Sequence, residues 1–549
     1  MCALSAMARL AAMASPMFVP QEERHGAAQV PGHRAAPGHV TESHAPGQPW
    51  EVWWDRNRWS LLQFSIGLAT LDGSSHSGGF DRASVLEARR KQAILLLMPL
   101  LAHPHGRVRA ATLIALGRMR TVGVLDAIMA SLQDAEKGVQ EAACLALGLL
   151  GKPRADHVLL NYVYTGLLPG QASAKGPRCH RGLAAVALAL SGSEVVPAML
   201  AGLAASPQLS NETRAFTLTA LGACGQPDAL ERIAPLAEDP GLHRWVKQAL
   251  YPTLAKLGGD ASLSFLVQAA ESKDPPAARS AALGLGLVPC RGDQAIVSLL
   301  ERLAERSDDV FVRSFATISL GRVGGPAAEP ILVSMLHEER AQQVPWAALA
   351  LGLLSRQAPT CGATRTLLAE LESCRNAEHR SAICLALGLA GSLDAERPLL
   401  DELGSTAPEA AAYAAVALAL LRAPGTSAAI RSRQGLPPDA LHQVAFALSL
   451  VNDDDALEQL FSLFERDRRH EVRLSAAHAI AHCRNLDSMG RLVRALQATP
   501  QDSVRTTEAV IALGGLLAVE PLPFLFRVFS STNFLDEPSS FGRMLGTVW

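Results

Sequence analysis

The chain has no run of about 18 apolar residues, the length a membrane-spanning helix requires. Its long apolar stretches, such as residues 93–102 (AILLLMPLLA), have the length of a core helix, so no membrane span is expected. Aromatic residues are scarce as well, 5% of 549 residues, in a composition that is 49% hydrophobic. An apolar chain so poor in rings suits a stack of Ala- and Leu-rich helices better than a β-sandwich or an α/β core. Charge of one sign is missing: 50 Lys and Arg against 52 Asp and Glu leave a net charge of -2. No overall basic field exists to hold DNA or RNA, and nucleic acid is not an expected partner. Cysteines number nine, an odd count with no CxxC pair, which argues against a disulfide framework. Cys144, Cys224 and Cys384 read as buried free thiols. No GxSxG, P-loop or EF-hand pattern occurs. Gly284-Leu285-Gly286 follows no strand, so it is not a nucleotide loop.

What the chain does have is one phrase, repeated. Residues 312–321 read VRSFATISLG, with near-copies at 108–117 (VRAATLIALG), 139–148 (VQEAACLALG), 213–222 (TRAFTLTALG), 379–388 (HRSAICLALG) and 472–481 (VRLSAAHAIA). In VRAATLIALG the positions Val108, Ala111, Thr112, Ala115 and Leu116 fall on one face of a helix. Small residues on that face let a neighbouring helix come close. The closing glycine suits a left-handed helix cap. A second apolar-periodic stretch precedes each phrase, and Asp134, Asp309 and Asp467 mark the turn between the two. Each unit is therefore a helix pair. One pair cannot bury its own apolar face, so units must stack. If Gly117 closes the first unit and Gly514 the thirteenth, twelve periods span 397 residues, about 33 each.

The flanks differ from the repeats. Residues 1–49 read as a disordered leader: a weak apolar run broken by Pro16, then a stretch rich in Pro, Gly and His. The run leaves localisation open between cytoplasmic and exported. Residues 50–81 read as an N-terminal cap and linker. Trp50, Trp53, Trp54 and Trp59 crowd its start and would cover the open end of the first repeat. The alternative is a partner-binding or self-association surface. The repeats occupy 82–530. An insertion at 166–178, with Lys175 and Arg178, is a candidate binding edge. Residues 531–549 read as a C-terminal cap or tail, in a region where Phe524, Phe526, Phe529, Phe534, Phe541 and Trp549 gather.

Candidate chemistry is thin. His478 and His482 stand four apart on one helix, with His470 upstream, a spacing that two metal ligands share. Two are too few and HExxH is absent, so the three are weak metal candidates, and no cofactor or catalytic residue is expected. The Arg at the second phrase position (Arg109, Arg313, Arg380, Arg473) has two readings. It ties neighbouring units through their turn Asp, or it lines a groove for an acidic partner, which makes Arg313 and Arg380 candidate contacts. Asp453-Asp454-Asp455 reads as a helix N-terminus.

The phrase, the period and the Asp-turn-Val-Arg order resemble HEAT repeats of the short bacterial type called PBS-lyase HEAT-like. The stretches SDDVFVRSFATISLG (307–321) and LQDAEKGVQEAACLALG (132–148) carry the resemblance best. It implies an all-α, right-handed solenoid of about 12–13 hairpins whose second helices form the concave face. It also implies a non-enzymatic scaffold that binds a protein or peptide along that face, with self-association through the aromatic ends as a further option. The alternative is a lyase-like or metal-dependent enzyme, or an accessory subunit. Phycobilin lyases share the repeat without a lyase signature within it. Deoxyhypusine hydroxylase binds iron through matched His-Glu pairs, but His337-Glu338 and His470-Glu471 stand at different repeat positions here. DNA glycosylases of this class use a basic groove that the near-neutral balance does not supply.

Overall fold

The computed structural model describes residues 49–63, 82–121, 123–167, 180–289, 292–337, 341–358, 362–433, 436–520 and 525–535. Among these every regular element is a helix. From Arg82 onward the helices pair into thirteen units. The first joins outer helix Arg82–Leu97 to inner helix Gly106–Met119, and the last joins Met489–Ala498 to Ser503–Leu516. The expected leader up to residue 48, the 64–81 linker, most of the 166–178 insertion, Lys175 and Arg178 included, and residues 536–549 of the expected C-terminal cap or tail lie outside the described residues.

The turns behave as their residues dictate. Asp309 caps helix Val310–Val323, accepting from the Phe311 and Val312 amides at 2.9 and 3.0 Å. Asp453 does the same for Asp454–Arg466 through the Ala456 amide at 2.7 Å. Pro345 sits in the first turn of Val344–Gln357, where its missing N–H costs nothing, and Pro252 lies inside Arg244–Leu257.

The inner helices depart from the expected one-sided pattern. In Gly106–Met119 every residue but Arg107 and Arg109 is buried, and in Pro408–Leu421 all but the first two and Leu420. A helix apolar all round is one enclosed on all sides. Here the outer helix, the two neighbouring inner helices and material inside the array supply those sides.

The phrase glycine is not a cap. Gly117, Gly148, Gly321 and Gly388 stand inside their helices, which each run on for two residues. The left-handed caps come later, at Gly151 (φ 59°) for example, and several are not glycine: Arg120 (φ 50°), Arg422 (φ 54°), Asn452 (φ 54°) and Arg484 (φ 53°). The phrase glycine serves the neighbour instead. Gly117 faces Ala146, Gly148 faces Ala187, Gly321 faces Ala350, Gly352 faces Ala386 and Gly388 faces Ala417, in each case too closely for a Cβ. One helix backbone thus seats against the next through a repeated Gly–Ala contact.

The same contact closes the array. Inner helix Ser503–Leu516 of the last unit packs on inner helix Gly106–Met119 of the first. Gly514 faces Ala115 there, and a Cβ on Gly514 would stand 2.5 Å from that of Ala115. Around this seam the Val519 amide donates to the Arg118 carbonyl (2.8 Å), Arg90 to the Leu517 carbonyl (2.9 Å) and Arg484 to the Ala518 carbonyl (3.0 Å). The solenoid is a closed ring of thirteen units. The open ends that an aromatic cap would cover are therefore paired with each other.

Candidate functional site

The space inside the ring is lined by inner helices and is filled by two segments of the same chain. The first is helix Pro49–Gln63, which lies on the inner helices of units 8 to 12: Val344–Gln357, Ala377–Ala390, Pro408–Leu421, Pro438–Val451 and His470–Cys483. Trp53 meets the edge of Trp346 (ring centroids 6.2 Å apart), Trp50 tilts on Tyr413 (5.1 Å), and Trp54 and Trp59 both meet Phe446 (6.4 and 5.4 Å). Trp59 also meets His482 (4.5 Å), and Arg58 lies over Phe446 (4.3 Å). Polar contacts fix the register. The Trp50 indole donates to Glu378 and the Tyr413 hydroxyl to Glu51, both at 3.3 Å.

The second segment is 525–535, which crosses the inner helices of units 4 to 7: Asn211–Cys224, Arg244–Leu257, Pro275–Leu285 and Val310–Val323. Gln248 donates to the Asn533 carbonyl at 2.7 Å and Lys256 to the Ser530 carbonyl at 2.8 Å. Asn533 donates to Ser280 at 3.0 Å, Arg322 to the Ser531 hydroxyl at 3.2 Å, and Phe534 meets the edge of Phe315 at 5.9 Å. The two segments also join each other: Asn57 accepts from the Ser531 amide at 2.9 Å, and Arg56 donates to the Thr532 hydroxyl at 3.2 Å. Burial, with Arg322 alongside, lowers the Lys256 ammonium to about 8.

The expected site residues fall as follows. Trp50, Trp53, Trp54 and Trp59 are buried, so none presents a free surface. Of the four phrase arginines only Arg109 meets the turn Asp of the next unit, as Arg279 of a further unit also does; Arg380 and Arg473 reach the next unit through Glu402 and Glu508 instead. Arg109 bonds Asp134 of the next unit through two 2.8 Å contacts, Arg279 bonds Asp309 at 2.7 Å, and Arg473 bonds buried Glu508 at 2.9 Å. Arg380 pairs with Glu402 of the next unit and donates to the Cys374 carbonyl. Burial works to raise the Asp309 carboxyl, and the Arg279 bonds and helix amides outweigh it, holding it below the usual range. Arg313 turns back on its own unit, to the Ser307 carbonyl. His470 donates to the Glu508 carboxylate (2.7 Å). His478 and His482 sit at the ring interior, and no group of three potential ligands stands together among the described residues. The thiols of Cys224 and Cys483 are pushed up to about 12 by burial, unsuited to nucleophilic work. What sequence reasoning missed is the polar set on the inner helices, Gln248, Lys256, Ser280 and Arg322. The only signal was a polar residue on a helix otherwise apolar all round.

The sequence profile of HEAT repeats matches residues 94–166, 196–286 and 268–352. Those three stretches are HEAT repeats. No curated protein matches its sequence. Among solved structures it is similar to human deoxyhypusine hydroxylase in complex with glycerol, at 20% identity, 47% of this chain, 97% of that one and a TM-score of 0.24. It is similar to the CpcE–CpcF complex of phycocyanin lyase from Nostoc sp. PCC7120, at 15% identity, 60% of this chain, 93% of that one and a TM-score of 0.25. It is also similar to Kap121p, at 13% identity, 84% of this chain, 58% of that one and a TM-score of 0.36.

The interior histidines are expected to give the ring a pH dependence. Burial, and then Arg118, His442 and Arg58, lower His478 to about 3; burial, His478, Arg118, Arg58 and Arg484 hold His482 well down. In the unfolded chain both take up a proton near the ordinary value of about 6.5. Below that pH the unfolded state binds more protons, so stability is full above about 6.5 and falls as pH drops towards 3. At pH 5 the loss from His478 alone is about 2 kcal/mol, from about 1.36 kcal/mol per pH unit. Urea unfolding at pH 7.5 and 5.0 measures it, and His478→Gln is expected to remove that part of the difference.

Proposed function

We propose that this protein is a non-enzymatic scaffold that takes protein or peptide segments on the inner face of its ring. The observation that carries the reading is the interior itself. One face made of inner helices holds an aromatic helix over units 8 to 12 and an irregular segment over units 4 to 7. Its chemistry suits both forms of peptide: aromatic and Ala-lined ground for a helix face, and side-chain donors for exposed carbonyls. A partner reaching that face displaces one of the two resident segments. The turns that lead into the outer helices offer a weaker alternative, with large apolar residues exposed singly, such as Val195 and Leu393.

The test is positional photo-crosslinking in host lysate. A photoreactive side chain at Gln443, which faces Asp55 of the Trp-rich helix, is compared with one at Arg397 on an outer helix. Partner adducts from position 443 are expected. Adducts from position 397 alone would place the binding surface outside the ring and sink the reading.

A further inference from the structure

The stretch Ser530–Phe534 is held in a manner that the repeat array does not need. It lies in no helix beyond the short turn Phe526–Phe529, and Ser531 has a φ of 58°. Yet Ser530, Ser531, Thr532, Asn533 and Phe534 are all buried, Asn533 completely. A polar, irregular stretch this deep requires partners for its amides and carbonyls. It finds them in side chains drawn from separate elements. Lys256 and Gln248 hold the carbonyls of Ser530 and Asn533, and Asn57 holds the Ser531 amide. Other contacts read side chains: Arg322 meets the Ser531 hydroxyl, Arg56 the Thr532 hydroxyl, and Ser280 the Asn533 amide. Phe534 closes the stretch between the edge of Phe315 and the Arg56 guanidinium, which lies 5.4 Å from its ring centroid. Backbone clamps joined to side-chain readers are the makings of peptide recognition, in which the clamps give affinity and the readers give selectivity.

We propose that this channel, bounded by Asn57, Gln248, Lys256, Ser280 and Arg322, is a recognition site for a peptide of the pattern Ser-Ser-Thr-Asn-Phe that turns at its second residue. The chain's own Ser530–Phe534 occupies it in cis, and a partner segment of that pattern takes its place in trans. The inference rests on the inner-face reading above and names the partner chemistry for units 4 to 7. Cis occupancy has a quantitative consequence. A tethered segment competes at an effective concentration in the range of about 1 mM. The site therefore answers only to a partner present in an array or carrying a better version of the pattern, and the resident segment sets the threshold.

The test uses the full chain. A fluorescein-labelled peptide LFRVFSSTNFL is titrated by anisotropy into wild type and into the double variant Asn533→Ala/Phe534→Ala, whose own segment has lost its two most specific contacts. Binding to the double variant at least about tenfold tighter than to wild type is expected from release of the tethered competitor. A peptide with Asn and Phe replaced by Ala should not bind, and adding Gln248→Ala and Ser280→Ala to the double variant should abolish binding. No binding to a double variant that keeps its helical signal and melting transition would overturn the proposal, as would binding insensitive to Gln248 and Ser280. Should the double variant fail to fold, hydrogen exchange on wild type decides. Excess unlabelled peptide is expected to speed exchange at 527–534, and unchanged exchange overturns the proposal. Failure of the peptide leaves the Gln443 crosslinking result standing, so the pattern and the inner-face reading fall separately.

Discussion

Gly148→Val is expected to destabilise the ring by about 3 kcal/mol or more, measured as a fall in the urea midpoint with faster hydrogen exchange in helices Lys137–Leu150 and Arg181–Ser191. A Cβ at Gly148 would run into the Ala187 carbonyl and stand 2.7 Å from the Ala187 Cα. The obstacle is backbone, so no side chain can swing aside. Two helices would have to separate, opening every contact between units 2 and 3. Helix propensity pulls the other way, because a residue other than glycine is favoured in a helix interior by up to about 1 kcal/mol, and it is outweighed. Gly202→Ala is the control. Gly202 stands inside outer helix Val196–Ala205, and a Cβ there meets nothing nearer than an Arg232 nitrogen at 3.9 Å. That substitution is expected to stabilise by about 0.5–1 kcal/mol. A loss at both positions would mean that glycine matters for flexibility, and the close-approach account would fail.

The glycine pair also shows what sequence could and could not deliver. The repeat, its period and a count of about 12–13 units were legible because each unit states them locally, in the phrase and its Asp turn. The role of the phrase glycine was misread for the same reason. A glycine ending an apolar phrase looks like a cap, and its actual partner, the next unit's alanine, is about 30 residues away. The true caps at Arg120, Arg422 and Arg484 gave no warning, since arginine rarely takes a left-handed conformation. Closure was harder still. It depends on the sum of small rotations over thirteen units, a quantity no single residue carries. One hint was present. An open solenoid needs polar terminal units, yet the first phrase, VRAATLIALG, and the last inner helix, SVRTTEAVIALGGL, are as apolar as internal copies. Clustered tryptophans at one end then read naturally as a cover. In a closed ring they serve another need: inner helices rich in Ala and Gly leave central space that only bulky residues can fill. The polar clamp at Gln248, Lys256, Ser280 and Arg322 stayed hidden because its four members come from three units and converge only on Ser530–Phe534.

Trp53→Ala tests whether that central filling holds the ring or merely occupies it. Trp53 is fully buried against Trp346, and truncating so large a side chain in a packed site costs about 3–5 kcal/mol. The indole N–H of Trp53 has no acceptor among the described residues, so the ring's volume, not its hydrogen bond, is what the site uses. Trp53→Phe therefore separates the two. It removes part of the volume and all of a buried, unpaired donor, and an unpaired donor carries a desolvation cost of about 1–3 kcal/mol. The expected loss for Trp53→Phe is accordingly small, under about 1.5 kcal/mol. The distribution of the damage matters as much as its size. Helix Pro49–Gln63 spans units 8 to 12, so Trp53→Ala is expected to speed hydrogen exchange in the inner helices between Val344 and Cys483, while Lys137–Leu150 on the other side stays protected. Uniform loss of protection around the ring would show that the central helix sets closure globally. Unchanged stability would show that the thirteen units close without it.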